Sequence, residues 1–390
     1  MKNTRKGKIV VLHLAARYPF AGVIWQLLHH LIGFRQLGLD VYYIEDHGAY
    51  VYDPNLGAPN ADPTTVLKSL AAVLDRYGFG DRWSFFDSVR NDYLGMPRER
   101  CVELLRDADA VINLCGATEP RDEHRKSRCL VMLETDPGVL QLELGRKMPS
   151  AVSFARAHQL FFTYGYNIGA PDCLLPTGGI DWRPTRPPVA LDEWRPGVGP
   201  AEPPRFTTVG TWQNRGNDFE IAGETYYWSK DVNFRKMLEV ANRASQPIEL
   251  ASDLTSGPDY DRALRGGFTF TPVVPMSLDI DGYRNYISAS RGEFTVAKDI
   301  YVRPRTGWFS DRTVCYLAAG RPVVTQRTGF EKTIPTGIGL LGFDTADEAV
   351  DAIRIINSDY PRHARAAREI AAEYFDAAKL LDEIRQAAGI

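Results

Sequence analysis

Short apolar, β-branched runs alternate with segments of helical periodicity along nearly the whole chain, and the alternation occurs twice. In the first half, residues 8–14, 39–44, 108–114, 128–133 and 159–164 predict strands, and residues 22–37, 64–77, 97–106 and 151–157 predict helices. In the second half, residues 205–210, 247–251, 268–274, 293–297, 323–325 and 340–343 predict strands, with helices at 230–244, 258–265, 277–290, 310–319 and 345–357. A strand, a helix and a strand in succession can pair in parallel only through a crossover, so the pattern dictates parallel sheets covered on both faces by helices. Ligands in such sheets lie beyond the carboxyl ends of the strands, and that rule selects the loops in which function is sought.

Residues 176–204 interrupt the pattern with Pro, Gly, Trp and Arg and little periodicity, as an interdomain connection would. Trp182 and Trp194 within it are expected to pack rather than wave in solvent. Residues 361–388 are Ala-rich and amphipathic and predict one last helix. A length of 390 residues suits two domains, placed at 1–190 and 205–360, with 361–390 as a helix that follows them.

The stretch 307–330, GWFSDRTVCYLAAGRPVVTQRTGF, carries the sharpest local signal. Ser310 is placed to cap a helix, Thr313, Val314, Tyr316, Leu317 and Ala318 give it an apolar face, and Gly320 ends it before the strand begun by Val323-Val324. Such a unit aims free backbone N–H groups at whatever precedes Ser310, a place that suits a phosphate, and Arg312 adds a fork of donors there. The run Ala318-Ala319-Gly320-Arg321-Pro322-Val323-Val324 resembles the donor-binding segment of GT-B nucleotide-sugar glycosyltransferases. The resemblance extends in weaker form over most of the chain. It departs at two points: Cys315 stands where many of these enzymes hold the nucleotide ribose with a Glu, and Gly307 stands where the first Glu of an E-x7-E pair would be. Asp311 is the nearby substitute for the ribose contact.

The resemblance implies two Rossmann-like, doubly wound domains facing a central cleft, with the C-terminal helix crossing back to the N-terminal domain. The second domain would hold a nucleotide-diphosphate sugar and the first an acceptor. Charge compensation for the leaving diphosphate would come from Arg, Lys and backbone N–H groups. Candidates are Arg291, Lys298, Arg303 and Arg312, with Ser310, Asp311 and Thr313 at the helix start and Lys230 as a weaker one. Gly210, after the strand at 205–210, lets a diphosphate approach, and Trp212 stacks on a base or packs between domains. Gln326, Thr328 and Gly329 follow another strand end and face a sugar in the family's arrangement. Trp308 is a wall residue or a loop support, and Phe309 belongs to the core.

On the acceptor side, Gly22 and Val23 follow the first strand, and Tyr164 and Asn167 mark a later loop. For a base that deprotonates an acceptor hydroxyl, the candidates are His47, Asp136, His13 and Asp46. Asp46 would orient His47 or act itself, Glu134 is a partner of Asp136 or a structural carboxylate, and the strand pattern equally allows His13 a buried structural place. No metal site is expected: Asp279-Ile280-Asp281 has D-x-D spacing but falls within a predicted helix, and no two histidines stand at i, i+4.

The expected activity is metal-independent transfer of a sugar from a nucleotide-diphosphate donor to a hydroxyl of a small molecule or glycan, with no cofactor beyond the donor itself. Two other readings remain, a nucleotide-sugar 2-epimerase-like isomerase and an inactive nucleotide-sugar-binding protein. Lys and Arg total 46 against 49 Asp and Glu, and no basic stripe is present, which counts against a nucleic-acid partner. The cysteines number five without a C-x-x-C pair, which indicates free thiols and a cytoplasmic setting. No apolar run reaches the ~18 residues of a membrane span. Lys2, Arg5, Lys6 and Lys8 before Ile9-Val10-Val11-Leu12 weakly imitate a signal peptide, but the run is short and a first core strand is the better reading.

Overall fold

The strand Lys8–Leu12 buries four consecutive residues, as a strand covered on both faces must. It pairs in parallel with Asp40–Glu45 on one side and Ala110–Leu114 on the other. Leu130–Glu134, Leu160–Thr163 and Arg183–Pro184 continue the sheet in parallel beyond Ala110–Leu114. Trp83–Asp87 in parallel and Asp92–Gly95 antiparallel complete the other edge, for eight strands in all. The second sheet has six strands, all parallel, in the order Phe268–Pro272, Ile248–Ser252, Phe206–Val209, Gly292–Thr295, Val323–Gln326, Leu340–Phe343. These features come from a computed structural model that describes residues 6–196 and 204–390; Lys2, Arg5 and residues 197–203 of the 176–204 connection lie outside the described residues.

Several predicted elements change on inspection. The helix expected at 230–244 is two short ones, Asp231–Phe234 and Val240–Ala244. The helix expected from 277 starts at Ile280, where the Asp279 carboxylate caps it by accepting from the Asp281 and Gly282 N–H groups. Asp279 is thus a cap, and Asp281 pairs with Arg76 and Arg284. Residues 361–388 form two helices, Tyr360–Tyr374 and Ala377–Ala387, because Asp376 caps a fresh start by accepting from Lys379 N. The loop after Asp40–Glu45 contains a hairpin, Val51–Asp53 with Ala58–Asn60, and a second hairpin joins Phe219–Ile221 to Glu224–Tyr226.

The chain crosses between the two sheets twice, and the crossings touch: Val189 N donates to Phe375 O at 2.8 Å and Ala377 N to Val189 O at 3.1 Å. Ala377–Ala387 then lies on the helix Ala21–Gln36 of the first half. Gly33 permits the approach, since a Cβ there would stand 2.6 Å from Leu381 Cδ1 and 2.9 Å from Ala377 Cβ. Leu381 and Ile384 are each 1% exposed in this contact, and a fully buried side chain of that kind contributes roughly 1.5–3 kcal/mol. Trp194 packs as expected, its ring 5.0 Å from that of Trp25, and Trp182 packs on Phe161 at 5.5 Å. No helix among the described residues is long and apolar enough to cross a membrane.

Candidate active site

Residues just past the strand ends of both sheets line one cleft of about 1020 Å³ between them. From the first half come Leu14, Gly22, Val23, Gln26, Cys115, Thr135 and Asp136, and from the second Gly210, Lys230, Lys298, Ser310, Asp311 and Arg312. The rule about carboxyl ends of parallel strands therefore selects the loops that line this cleft.

Arg312 is held from three directions. Its Nε donates to Glu293 Oε1 at 2.6 Å, one Nη to Val209 O at 2.6 Å and the other to Thr295 Oγ1 at 2.9 Å. Glu293 is fully buried, so this is an ion pair inside the domain, and the guanidinium keeps two of its five N–H groups for the cleft. Lys230 differs: its ammonium makes no hydrogen bond or ion pair with any described residue. Burial, and then the charge of Arg312, push the Lys230 ammonium well below its usual range, with Glu293 pulling the other way. A Cβ placed on Gly210 would lie 3.5 Å from both Lys230 Nζ and Arg312 Nη1. The missing side chain of Gly210 leaves a cradle between two cations.

The helix Asp311–Ala318 begins at the cleft, but not as an empty anion site. Ser310 does not cap it with its side chain and lines the cleft instead. The Asp311 carboxyl already stands at this end. Burial pushes it up to about 7, with Asp136 adding to the rise and a hydrogen bond from Gln26 opposing it. Gln26 in turn accepts through Oε1 from Cys115 Sγ at 3.2 Å and from His13 Nε2 at 2.9 Å. Across the cleft, Asp136 accepts from Lys298 Nζ at 3.1 Å and from the Tyr301 hydroxyl. Burial alone would raise the Asp136 carboxyl, but Lys298 and Tyr301 outweigh it and hold it below the usual carboxylate range. Lys298 also sits 3.8 Å over the Trp228 ring. Glu134 is pushed up to about 7 by burial and is engaged by Gln141 and by Thr163 Oγ1.

Of the proposed bases, only Asp136 reaches the cleft. His47 is oriented by Glu45, not Asp46: Nε2 meets Glu45 Oε1 at 2.7 Å while Nδ1 accepts from Ala49 N at 2.9 Å, so both ring nitrogens are used. Glu45 also accepts from the N–H groups of Ala16 and Arg17, each at 2.7 Å, and so fixes the loop after the first strand. Asp46 is fully buried among Tyr93, Arg121 and His124. His13 is fully buried in the first strand's continuation, and burial lowers it to about 4. Tyr164, 1% exposed, is core, and Asn167 joins the halves by donating to Arg305 O at 2.7 Å and accepting from Lys332 Nζ at 3.0 Å.

Among the second-half candidates, Arg291 precedes the strand Gly292–Thr295 and therefore lies at its amino end, away from the cleft, over the Tyr360 ring. Arg303 is bound by Asp299 and Glu224 and covers Tyr226 of the second hairpin. Trp212 stacks on Phe234 at 5.3 Å inside the second half. Thr313, Gln326 and Thr328 are buried behind the cleft wall, Thr328 Oγ1 donating to Trp308 O at 2.6 Å, and Gly329 shapes the turn there with φ 105°. Trp308 belongs to the wall, donating to Thr135 O at 2.9 Å, and Phe309 is core. Gly307 has φ 78° and a Cβ there would come 2.5 Å from Asn167 N, so no other residue fits where the family's first Glu would stand.

The sequence reading missed Gln26 and Cys115. Gly22, Gln26 and His29 follow one another at helical spacing on the cleft face of Ala21–Gln36, which was the available signal. Cys115 adopts φ 62°, a conformation unusual for a side-chain-bearing residue and invisible in composition. Among the described residues no three His, Cys, Asp or Glu side chains gather as a metal site, and the five cysteines are free.

No family model matches the chain, and no curated protein matches it by sequence. Solved structures do match. AviGT4, a glycosyltransferase involved in avilamycin A biosynthesis, superposes with TM-score 0.56 at 12% identity, over 98% of this chain and 96% of that one. An alpha-glucosyltransferase in complex with UDP and a 13-mer DNA gives 0.57 at 11%, over 98% and 100%. Anabaena HepE in complex with UDP-glucose gives 0.53 at 13%, over 98% and 99%. The chain has the GT-B fold. In GT-B terms the two sheets are the paired Rossmann-like domains, the cleft lies between them, and Ala377–Ala387 is the helix that returns to the N-terminal one.

Proposed function

We propose that the chain is a glycosyltransferase that takes a nucleotide-diphosphate sugar in the second half of the cleft and an acceptor hydroxyl in the first. The observation that carries this reading is the cradle at Gly210, where the unpaired Lys230 and the half-free Arg312 converge on a space without a side chain. A diphosphate supplies the negative charge this pair lacks. In the reaction the acceptor oxygen bonds to the anomeric carbon, and the bond from that carbon to the phosphate oxygen breaks. The electron pair leaves with the diphosphate, whose charge Lys230, Arg312 and Lys298 offset without a divalent cation. The acceptor proton goes to a cleft carboxylate, and Asp311, pushed up to about 7, is matched to that task near neutral pH. The structures that carry UDP or UDP-glucose on this fold support the same donor class.

The test is a melting-temperature series with UDP, dTDP, GDP and ADP against their nucleosides, in EDTA. A ligand that binds only the native state raises the melting temperature according to its affinity. One diphosphate should stabilise far more than its nucleoside, and Gly210→Ala should shrink the difference while leaving the unliganded melting temperature in place. Equal responses to diphosphate and nucleoside would overturn the reading. Release of diphosphate should then require an acceptor, which separates transfer from epimerisation.

A further inference from the structure

The three cations of the cleft, Lys230, Lys298 and Arg312, all come from the second half, and none of the lining residues of the first half is Lys or Arg. The first half contributes instead two apolar groups. In one, Tyr52 of the hairpin Val51–Asp53 and Ala58–Asn60 lies 5.3 Å from Phe20, next to Tyr18. In the other, a Cβ on Gly116 would stand 3.0 Å from Met132 Cε and 3.4 Å from Phe154 Cζ, and Leu140 lines the same cleft.

The first group is held in place before any ligand arrives. Glu45 accepts from Ala16 N and Arg17 N, and Tyr52 N donates to Arg17 O at 2.9 Å, which ties the hairpin to the loop bearing Tyr18 and Phe20. The carboxylates on this side leave little net charge to recognise: Asp136 is paired with Lys298, Glu134 is 4% exposed and engaged by Gln141 and Thr163, and Glu143 lines the cleft as the remaining one. An anionic acceptor would find no cation among the first-half lining residues, Arg17 being laid over the Tyr18 ring. A highly hydroxylated one would leave hydroxyls facing apolar walls, which costs free energy.

We propose that the first-half wall of the cleft binds an uncharged acceptor whose hydroxyl is carried on an apolar body, a phenol or an alcohol on a ring or alkyl frame. This rests on the glycosyltransferase reading above and adds the acceptor class. Such a body fills the space between the Tyr18–Phe20–Tyr52 and Met132–Leu140–Phe154 groups and presents its hydroxyl toward Asp311 and the donor.

The experiment measures diphosphate release with saturating donor and matched acceptors: a neutral phenol and benzyl alcohol, the same frames bearing a carboxylate, and a free monosaccharide. The neutral aromatic acceptors should show a KM at least tenfold lower than the charged or sugar acceptors, a ratio that one apolar contact can supply. Tyr52→Ala should raise the acceptor KM about tenfold while the diphosphate melting shift stays as in the wild type. Leu140→Lys, at a partly exposed position, should narrow the preference against the carboxylate-bearing acceptor. Preference for the sugar or the charged acceptor, or an unchanged acceptor KM in both variants, would overturn the proposal while the donor reading stands. A wild-type protein with no diphosphate-dependent melting shift would overturn the donor reading, and this proposal with it.

Discussion

Beyond the strand Phe206–Val209, Lys230 stands without a partner beside Gly210. At the end of the strand Asp40–Glu45 lies an equally polar cluster, Glu45-Asp46-His47, in which only one side-chain atom, Asp46 Oδ1, lacks a partner. The first cluster leaves charge open to the cleft. The second consumes its charge in fixing a loop and the core. Both follow strand ends, and both look like chemistry on paper. The difference teaches that a polar residue left unsatisfied at a strand end is the stronger site candidate, because a buried charge without a partner is costly and is retained where a ligand completes it.

The comparison breaks most visibly at the carboxylates. Asp311→Asn should lower kcat by about 10²- to 10⁴-fold, the span of general-base catalysis, and should erase the rise in rate that the wild type shows as pH increases through about 7. An unchanged pH profile in that variant would move the base elsewhere, to Asp136. His47→Ala sharpens the other side. It should lower the melting temperature, since Glu45 loses a hydrogen bond to a charged group worth roughly 1.5–3 kcal/mol, while kcat stays within a few-fold. A loss of catalysis as large as that of Asp311→Asn would return His47 to the chemistry.

The next effect in size concerns the cradle. Gly210→Ala should weaken diphosphate binding by about 10- to 100-fold, the loss of one charge-assisted contact, with the fold intact because the added Cβ meets only ordinary contacts. Arg312→Ala is the less clean test. It would leave Glu293 buried without its partner and destabilise the whole domain.

The smallest effect is a stability slope with pH. Burial lowers His13, His30 and His158 to about 4 and His29 to about 3, so between these values and about 6.5 the unfolded chain binds protons that the folded one refuses. Stability is then lost as pH falls through that window. Asp311 and Glu134, pushed up to about 7, act in the opposite sense, their contribution being lost as pH rises from about 4 to 7. With four histidines against two carboxyls, the melting temperature should be lower at pH 5 than at pH 7. A higher one would show that the histidines are not buried as described.

The fold was legible wherever one physical signal ruled a segment. Helix Pro258–Arg265 and strand Leu340–Phe343 fall where proline, periodicity and apolar runs place them. Trp83–Asp87 was missed because its aromatic run alternates neither with period 2 nor with period 3.6, and its pairing depends on Asp40–Glu45 far away in sequence. The cleft residues Gly210, Lys298, Asp311, Arg312 and Asp136 were legible as residues that follow strand ends or open a helix. Arg291 could have been excluded from strand direction alone, since it precedes its strand. The satisfied state of Asp46, Arg303 and Trp212 could not have been, because their partners Arg121, Glu224 and Phe234 are chosen by tertiary structure.

The helix Ala21–Gln36 is buried on almost every face, and part of its cover is Ala377–Ala387. During ribosomal synthesis its apolar surface emerges more than three hundred residues before the segment that shields it. The N-terminal half must therefore wait, incompletely covered, until that segment has been made, and this interval is when chaperone capture or misassociation competes with maturation.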